Sequence, residues 1–176
     1  MTQHINRSVI GPHQLLYLLY GDKEVYRLEA RFSILSALRH RKNPADFTIT
    51  LMTDQPEAFD GWPITVLSLS EETLGIWQGA GGYSHRRKAC AIQAGVMLAG
   101  KTIFIDTDTV FFKDPALLFK RVTDDQFLMD EFELSWAQRL LGARVRFAVD
   151  VLPLVSVVSI VIIVAAVIRG VEVTQP

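Results

Sequence analysis

Apolar positions along the chain fall first into one continuous run and then into a helical period. Leu15-Leu16-Tyr17-Leu18-Leu19-Tyr20 is unbroken and closes on Gly21-Asp22, as expected of a strand buried on both faces. Val25, Leu28, Phe32, Leu35 and Leu38 then recur three and four residues apart, with Arg27, Arg31 and Arg39 between them. That spacing predicts an amphipathic helix with this apolar stripe turned to the core. Arg39-His40-Arg41-Lys42 suits the negative end of a helix dipole, and Asn43-Pro44 stops the helix.

Phe47-Thr48-Ile49-Thr50-Leu51-Met52-Thr53 reads as a second strand, ending at Asp54-Gln55-Pro56, and Ile64 to Leu69 as a third, with alternating polarity. Gly79-Ala80-Gly81-Gly82 reads as a loop. Ser84 is the expected cap of a helix reaching about Ala99, with Ala89, Ile92 and Val96 on one face and Gly100 as its C-cap. Thr102-Ile103-Phe104-Ile105 is a fourth strand, and Asp114-Pro115 opens a further helix. Strands alternating with helices predict an α/β fold around a mostly parallel sheet. Ligands of such sheets bind beyond the carboxyl ends of the strands, which points to Gly21-Asp22, Thr53-Asp54 and the segment after Ile105.

Composition narrows the function. The 176 residues carry 18 Lys+Arg against 19 Asp+Glu, a net charge of -1. That balance excludes a generally basic nucleic-acid binder. A single cysteine, Cys90, excludes an internal disulfide framework and a cysteine-built zinc site. It fits a reducing compartment.

The chemistry concentrates in Ile105-Asp106-Thr107-Asp108-Thr109-Val110. In an extended segment alternate side chains share a side, so Asp106 and Asp108 are expected to face one space. Two carboxylates repel there unless a cation joins them. Their hard oxygens suit Mg²⁺ or Mn²⁺, which usually share one or two carboxylates with substrate phosphates. A solvated acidic turn is the ordinary alternative. The apolar residues on both sides, Ile103-Phe104-Ile105 and Val110-Phe111-Phe112, favour the metal.

Phe104-Ile105-Asp106-Thr107-Asp108-Thr109-Val110-Phe111, followed by Asp114-Pro115 and Leu118-Phe119, resembles the core of the GT-A glycosyltransferases. The nearest likeness is to the glycogenin-like, retaining group that uses UDP-sugars. The order of elements before it is similar too, and the resemblance runs over roughly residues 14 to 130. It implies a Rossmann-like GT-A fold and a metal-dependent transfer of a sugar from a UDP-linked donor to an acceptor. It implies that Asp106 meets the ribose and the metal, and that Asp108 holds the metal. Tyr20, Gly21 and Asp22 would line the nucleotide pocket, and the Tyr26 ring would lie on the uracil. A basic residue at the head of the helix before the Asp-x-Asp would contact the nucleotide-sugar; Arg86, Arg87 and Lys88 compete for that place, and Lys88 matches best.

Each of these has a plainer reading. Tyr26 can pack against its own helix, and Arg86-Arg87-Lys88 can be a solvated helix end. Three bases at a helix N-terminus are unfavourable, so an anion held there would account for them. Cys90 reads as a small core residue rather than a nucleophile. Trp62 and Trp77 read as packing residues. No residue is singled out as a catalytic base.

After Leu128-Met129-Asp130-Glu131-Phe132-Glu133 the composition changes. The resemblance implies acceptor-binding residues and a late metal-binding His beyond this point, yet no His follows His85. The expected organisation is a nucleotide-sugar-binding domain over 14–133, a linker over 134–150 and an apolar helix over 151–168. Val151 to Ile168 has no charge, and 13 of its 18 residues are Val, Ile or Leu. As a helix it would span roughly 27 Å, close to the ~30 Å of a bilayer core. Arg139, Arg144 and Arg146 precede it and Arg169 follows, which would keep the main domain in the cytoplasm. A buried strand is the alternative, because Val and Ile favour strands. Two rivals remain for the whole chain: a nucleotidyltransferase, for which Tyr20-Gly21-Asp22-Lys23 is a poor match, and a non-catalytic membrane-attached nucleotide-binding remnant.

Overall fold

A computed structural model of the chain describes residues 10–82 and 85–122, together with the backbone of 155–156 and 164–166. Its centre is strand β1 (Gly11–Leu19). Parallel neighbours are β2 (Thr48–Thr53) on one side and β4 (Ala99–Phe104) on the other. β3 (Thr65–Ser68) extends the sheet beyond β2, also parallel. β7 (Val164–Ala166) closes it antiparallel to β4, giving the order β3-β2-β1-β4-β7. β5 (Val110–Phe111) pairs with β6 (Val155–Ser156) in a separate two-stranded ribbon. The expected α/β architecture with a mostly parallel sheet is thus present.

Both faces of β1 are covered, which is why its sequence is apolar without alternation. Leu15, Tyr17 and Leu19 pack with Ala30, Ile34 and Ala37 of α1 (Glu24–His40). Leu16 and Leu18 turn the other way, toward Leu74 of α2 (Glu71–Gln78) and Ala91 and Ile92 of α3 (His85–Gly95). Gln14, a buried polar residue of β1, is fully bonded. Its Nε2 donates to the Gly95 carbonyl at 2.6 Å and to Thr102 Oγ1 at 2.9 Å, and its Oε1 accepts from Thr50 Oγ1 at 2.7 Å. It therefore ties β2, β1 and β4 together without leaving a buried polar atom unmade, which would be costly.

Several expectations are corrected. The core-facing side of α1 is the Ala30, Ser33, Ile34 and Ala37 face. Val25, Leu28, Phe32 and Leu35 lie on the opposite side, between 52% and 63% exposed. Small residues let the helix sit close on the sheet, and spacing alone could not tell the two apolar faces apart. The helix after the glycine loop ends at Gly95, not near Ala99, and Ala89 is exposed. Gly95 is there because α3 presses on β1: a Cβ would come within 2.3 Å of Leu16 Cδ2. Gly100 is not a helix cap but lies within β4, where a Cβ would meet the Pro12 carbonyl oxygen at 2.9 Å. Ser84 lies outside the described residues. So do the 14–133/134–150 boundary and most of the expected apolar helix over 151–168. The five described residues of that run, Val155–Ser156 and Val164–Ala166, are strand.

The strand order sets where a ligand can sit. From β1 the chain moves outward through β2 to β3, then returns to the far side of β1 as β4. The reversal opens a crevice beyond the carboxyl ends of β1 and β4, the usual ligand site of open α/β sheets.

Candidate functional site at the carboxyl edge of the sheet

Two segments enter this crevice from the strands. β4 runs on through Ile105, whose N–H bonds the Leu16 carbonyl, into a turn in which the Thr109 N–H bonds the Asp106 carbonyl at 3.2 Å. The Asp-x-Asp is therefore a turn rather than the extended segment expected. It still brings the carboxylates together: burial first, and then the charge of Asp106, push the Asp108 carboxyl above its ordinary value. A hydrogen bond from its own backbone and the charge of Lys88 pull the other way. Asp108 Oδ1 is buried and has no hydrogen-bond partner.

Lys88 comes in from the first turn of α3. Its Nζ lies 2.6 Å from Asp106 Oδ1, with the two side chains 33% and 14% exposed. Of the three competing bases, this is the one that reaches the acidic turn. Arg86 and Arg87 go elsewhere. Arg86 Nη1 donates to the Ile76 and Trp77 carbonyls at 2.7 and 2.8 Å. Arg87 Nε donates to the Leu74 carbonyl at 3.0 Å, and its Nη2 to Gln78 Oε1. The Leu74, Ile76 and Trp77 carbonyls lie toward the C-terminus of α2, the negative end of its dipole. That explains two of the three bases at the head of α3 without an anion. Arg87 also lies over the Tyr20 ring, 4.6 Å from its centroid, which joins the end of β1 to α3.

The end of β1 is shaped by Gly21, whose φ of +86° favours glycine. Its N–H donates to Asp54 Oδ2 at 3.0 Å, and its carbonyl accepts from Gln55 Nε2. Gln55 in turn accepts from Arg27 Nη1 at 2.5 Å. Asp54 and Gln55 at the end of β2 thus fix the Gly21 turn, a role the sequence reading did not assign; Thr53-Asp54 as a strand end was the available signal. Asp22 is exposed. Tyr26 is 41% exposed at the start of α1, with Lys23 Nζ 5.2 Å from its ring centroid. Contacts thus join Tyr20 to Arg87 and Lys88 to Asp106, while Gly21 is tied to Asp54 and Gln55, and Tyr26 to Lys23.

The other singled-out residues pack. Trp62 meets Phe59 edge-on at 5.4 Å, Trp77 lies against the α2–α3 cluster, and Cys90 Sγ is half-buried, 4.0 Å from the Trp77 carbonyl. Asp114 does begin its helix, α4 (Ala116–Phe119), with Oδ1 accepting the Ala116 N–H at 3.0 Å.

No family model and no curated protein matches the chain. Among solved structures it is similar to mouse xyloside xylosyltransferase 1 in its apo form, with a TM-score of 0.50 and 12% identity over 70% of this chain. It is also similar to the apo bifunctional glycosyltransferase WbbM, with a TM-score of 0.46 and 12% identity over 75% of this chain. The fold is GT-A-like. The chain spans 53% of the xylosyltransferase and 24% of WbbM, so the GT-A-like part described is the sheet and its covering helices.

The acidic turn fits a hard divalent cation on chemical grounds. It offers hard oxygen donors, and two of them, Asp108 Oδ1 and Thr109 Oγ1, are buried without a hydrogen-bond partner. No cluster of three or more His, Cys, Asp or Glu occurs among the described residues. Two carboxylates with the remaining positions open is how Mg²⁺ or Mn²⁺ is commonly held beside a substrate phosphate.

Proposed function

We propose that the chain is the donor-binding part of a metal-dependent glycosyltransferase whose donor is a nucleoside diphosphate sugar, UDP-linked. The observation that carries this reading is the Lys88–Asp106–Asp108 constellation at the reversal point of the sheet. A divalent cation held by two carboxylates beside a lysine would suit the charge of a diphosphate. The GT-A-like fold supports sugar transfer as the chemistry. The UDP preference and the retaining stereochemistry rest on the resemblance of the Asp-x-Asp block.

In this reading Asp106 and Asp108 would hold Mn²⁺ or Mg²⁺, which would supply Lewis-acid neutralisation of the diphosphate's charge. Asp106 also meets the ribose. Lys88 donates to the phosphates, and its ammonium supplies further electrostatic stabilisation where charge builds up. Tyr20, fixed by Arg87, and the Gly21-Asp22 turn line the nucleotide. Tyr26 presents its half-exposed ring to the base.

Ligand-observed NMR with Mg²⁺ and a panel of UDP-, ADP- and GDP-sugars tests the donor class. Signals from the UDP-sugars alone are expected; equal response across the three bases would remove the uridine assignment. Release of free UDP from the bound donor separates a working enzyme from a protein that only binds nucleotide.

A further inference from the structure

We infer that Lys88 gates the cation site, keeping a lone divalent ion out until a nucleoside diphosphate draws its ammonium away from Asp106. The inference rests on the donor-site reading above. Its basis is the contact between Lys88 Nζ and Asp106 Oδ1 at 2.6 Å, made where the carboxylate is only 14% exposed. One of the two carboxylates a cation needs is therefore already neutralised by a covalently tethered cation. A divalent ion arriving alone must displace the ammonium, leave it unpaired, and then sit beside it as a like charge.

A nucleoside diphosphate changes that balance. It brings more negative charge than one carboxylate, so it competes with Asp106 for the ammonium. Lys88 is free to answer, being a third exposed on a four-carbon stem with rotatable bonds. Once it turns to the phosphates, Asp106 and Asp108 both face the incoming ion, and the ammonium no longer opposes it. Asp108 has no such cationic partner at hydrogen-bond distance among the described residues; its Oδ1 is unbonded. The gate's direct contact is therefore with Asp106, while its charge reaches Asp108 through space. Lys88 is thus a positioning residue for the cation as well as a phosphate ligand, and it favours nucleotide and metal entering together.

Titration of Mn²⁺ alone, followed by loss of the free-ion electron paramagnetic resonance signal, tests the gate without turnover. Wild type is expected to take up Mn²⁺ weakly alone and strongly with UDP. Lys88→Met and Lys88→Gln are expected to bind Mn²⁺ alone about tenfold more tightly than wild type, a coupling of ordinary size. Lys88→Arg keeps the charge and stays near wild type. Lys120→Met, the same loss of charge at the exposed end of α4, leaves Mn²⁺ uptake unchanged; a tenfold gain there too would make the effect one of net charge and overturn the gate. Circular dichroism confirms that each variant is folded, and two neutral replacements guard against one failing. If both bind Mn²⁺ no tighter than wild type while wild type still binds Mn²⁺ with UDP, the gate is wrong and the donor site stands. If wild type binds no Mn²⁺ with UDP present, the donor site itself is wrong and the gate goes with it.

Discussion

At the scale of single residues, the site is defined by charges set against one another. Asp108 is the most exposed to conflict: burial and the Asp106 charge both raise its carboxyl above the ordinary 3.8. A carboxyl raised by folding binds its proton more tightly in the folded state. Stability without ligand therefore falls as pH climbs from 3.8 through the raised value, and the penalty is complete once pH lies above that raised value. Asp108→Asn is expected to melt higher than wild type at pH 7 in the absence of metal. The gain should vanish below the ordinary carboxylate range, and thermal melts across pH read it directly. A variant that is more stable yet binds no metal–nucleotide complex is the signature of a residue kept for function. The acidic pair stood out in the sequence as an Asp-x-Asp after an apolar strand, whereas only the family resemblance preferred Lys88 among three bases at a helix head. The destinations of Arg86 and Arg87 were not legible there. Their partners are carbonyls toward the C-terminus of α2, a short helix containing Gly75 whose eight residues give too little periodicity to recognise. Ser70 was the available clue, since its Oγ caps that helix by accepting the Thr73 N–H at 3.1 Å.

At the scale of elements, α1 separates what hydrophobic spacing reveals from what it hides. The helix itself runs Glu24–His40, within the bounds set by Gly21-Asp22 and Asn43-Pro44. Its buried face is made of Ala30, Ser33, Ile34 and Ala37, small residues apart from Ile34, while the larger apolar residues at 25, 28, 32 and 35 point outward. Urea denaturation distinguishes the two faces. Ile34→Ala is expected to cost about 2–5 kcal/mol, as for a filled core site. Phe32→Ser, at 63% exposure, should stay within about 0.5 kcal/mol. Similar losses at both positions would mean that the stripe is covered in solution. Gly95→Ala tests the packing of α3 on β1. The added methyl meets Leu16 at 2.3 Å, and overpacking of this kind should cost about 1–3 kcal/mol.

At the scale of the whole molecule, sheet order is what turns separate motifs into one site. Alternating strands and helices were enough to predict a parallel sheet. The reversal between β1 and β4 was not readable from spacing, because strand order depends on which edge each crossover returns to. That reversal sets the end of β1 beside the acidic turn that follows β4, with Lys88 reaching in from the helix that precedes β4. The central claim is that this edge grips a diphosphate through a divalent ion. Calorimetric titration of UDP into the protein, once in Mn²⁺ and once in EDTA, tests it most directly. Saturable binding in Mn²⁺ that disappears in EDTA and in Asp108→Asn is the predicted result. Equal UDP affinity with and without the ion, or no binding in either, would contradict the account.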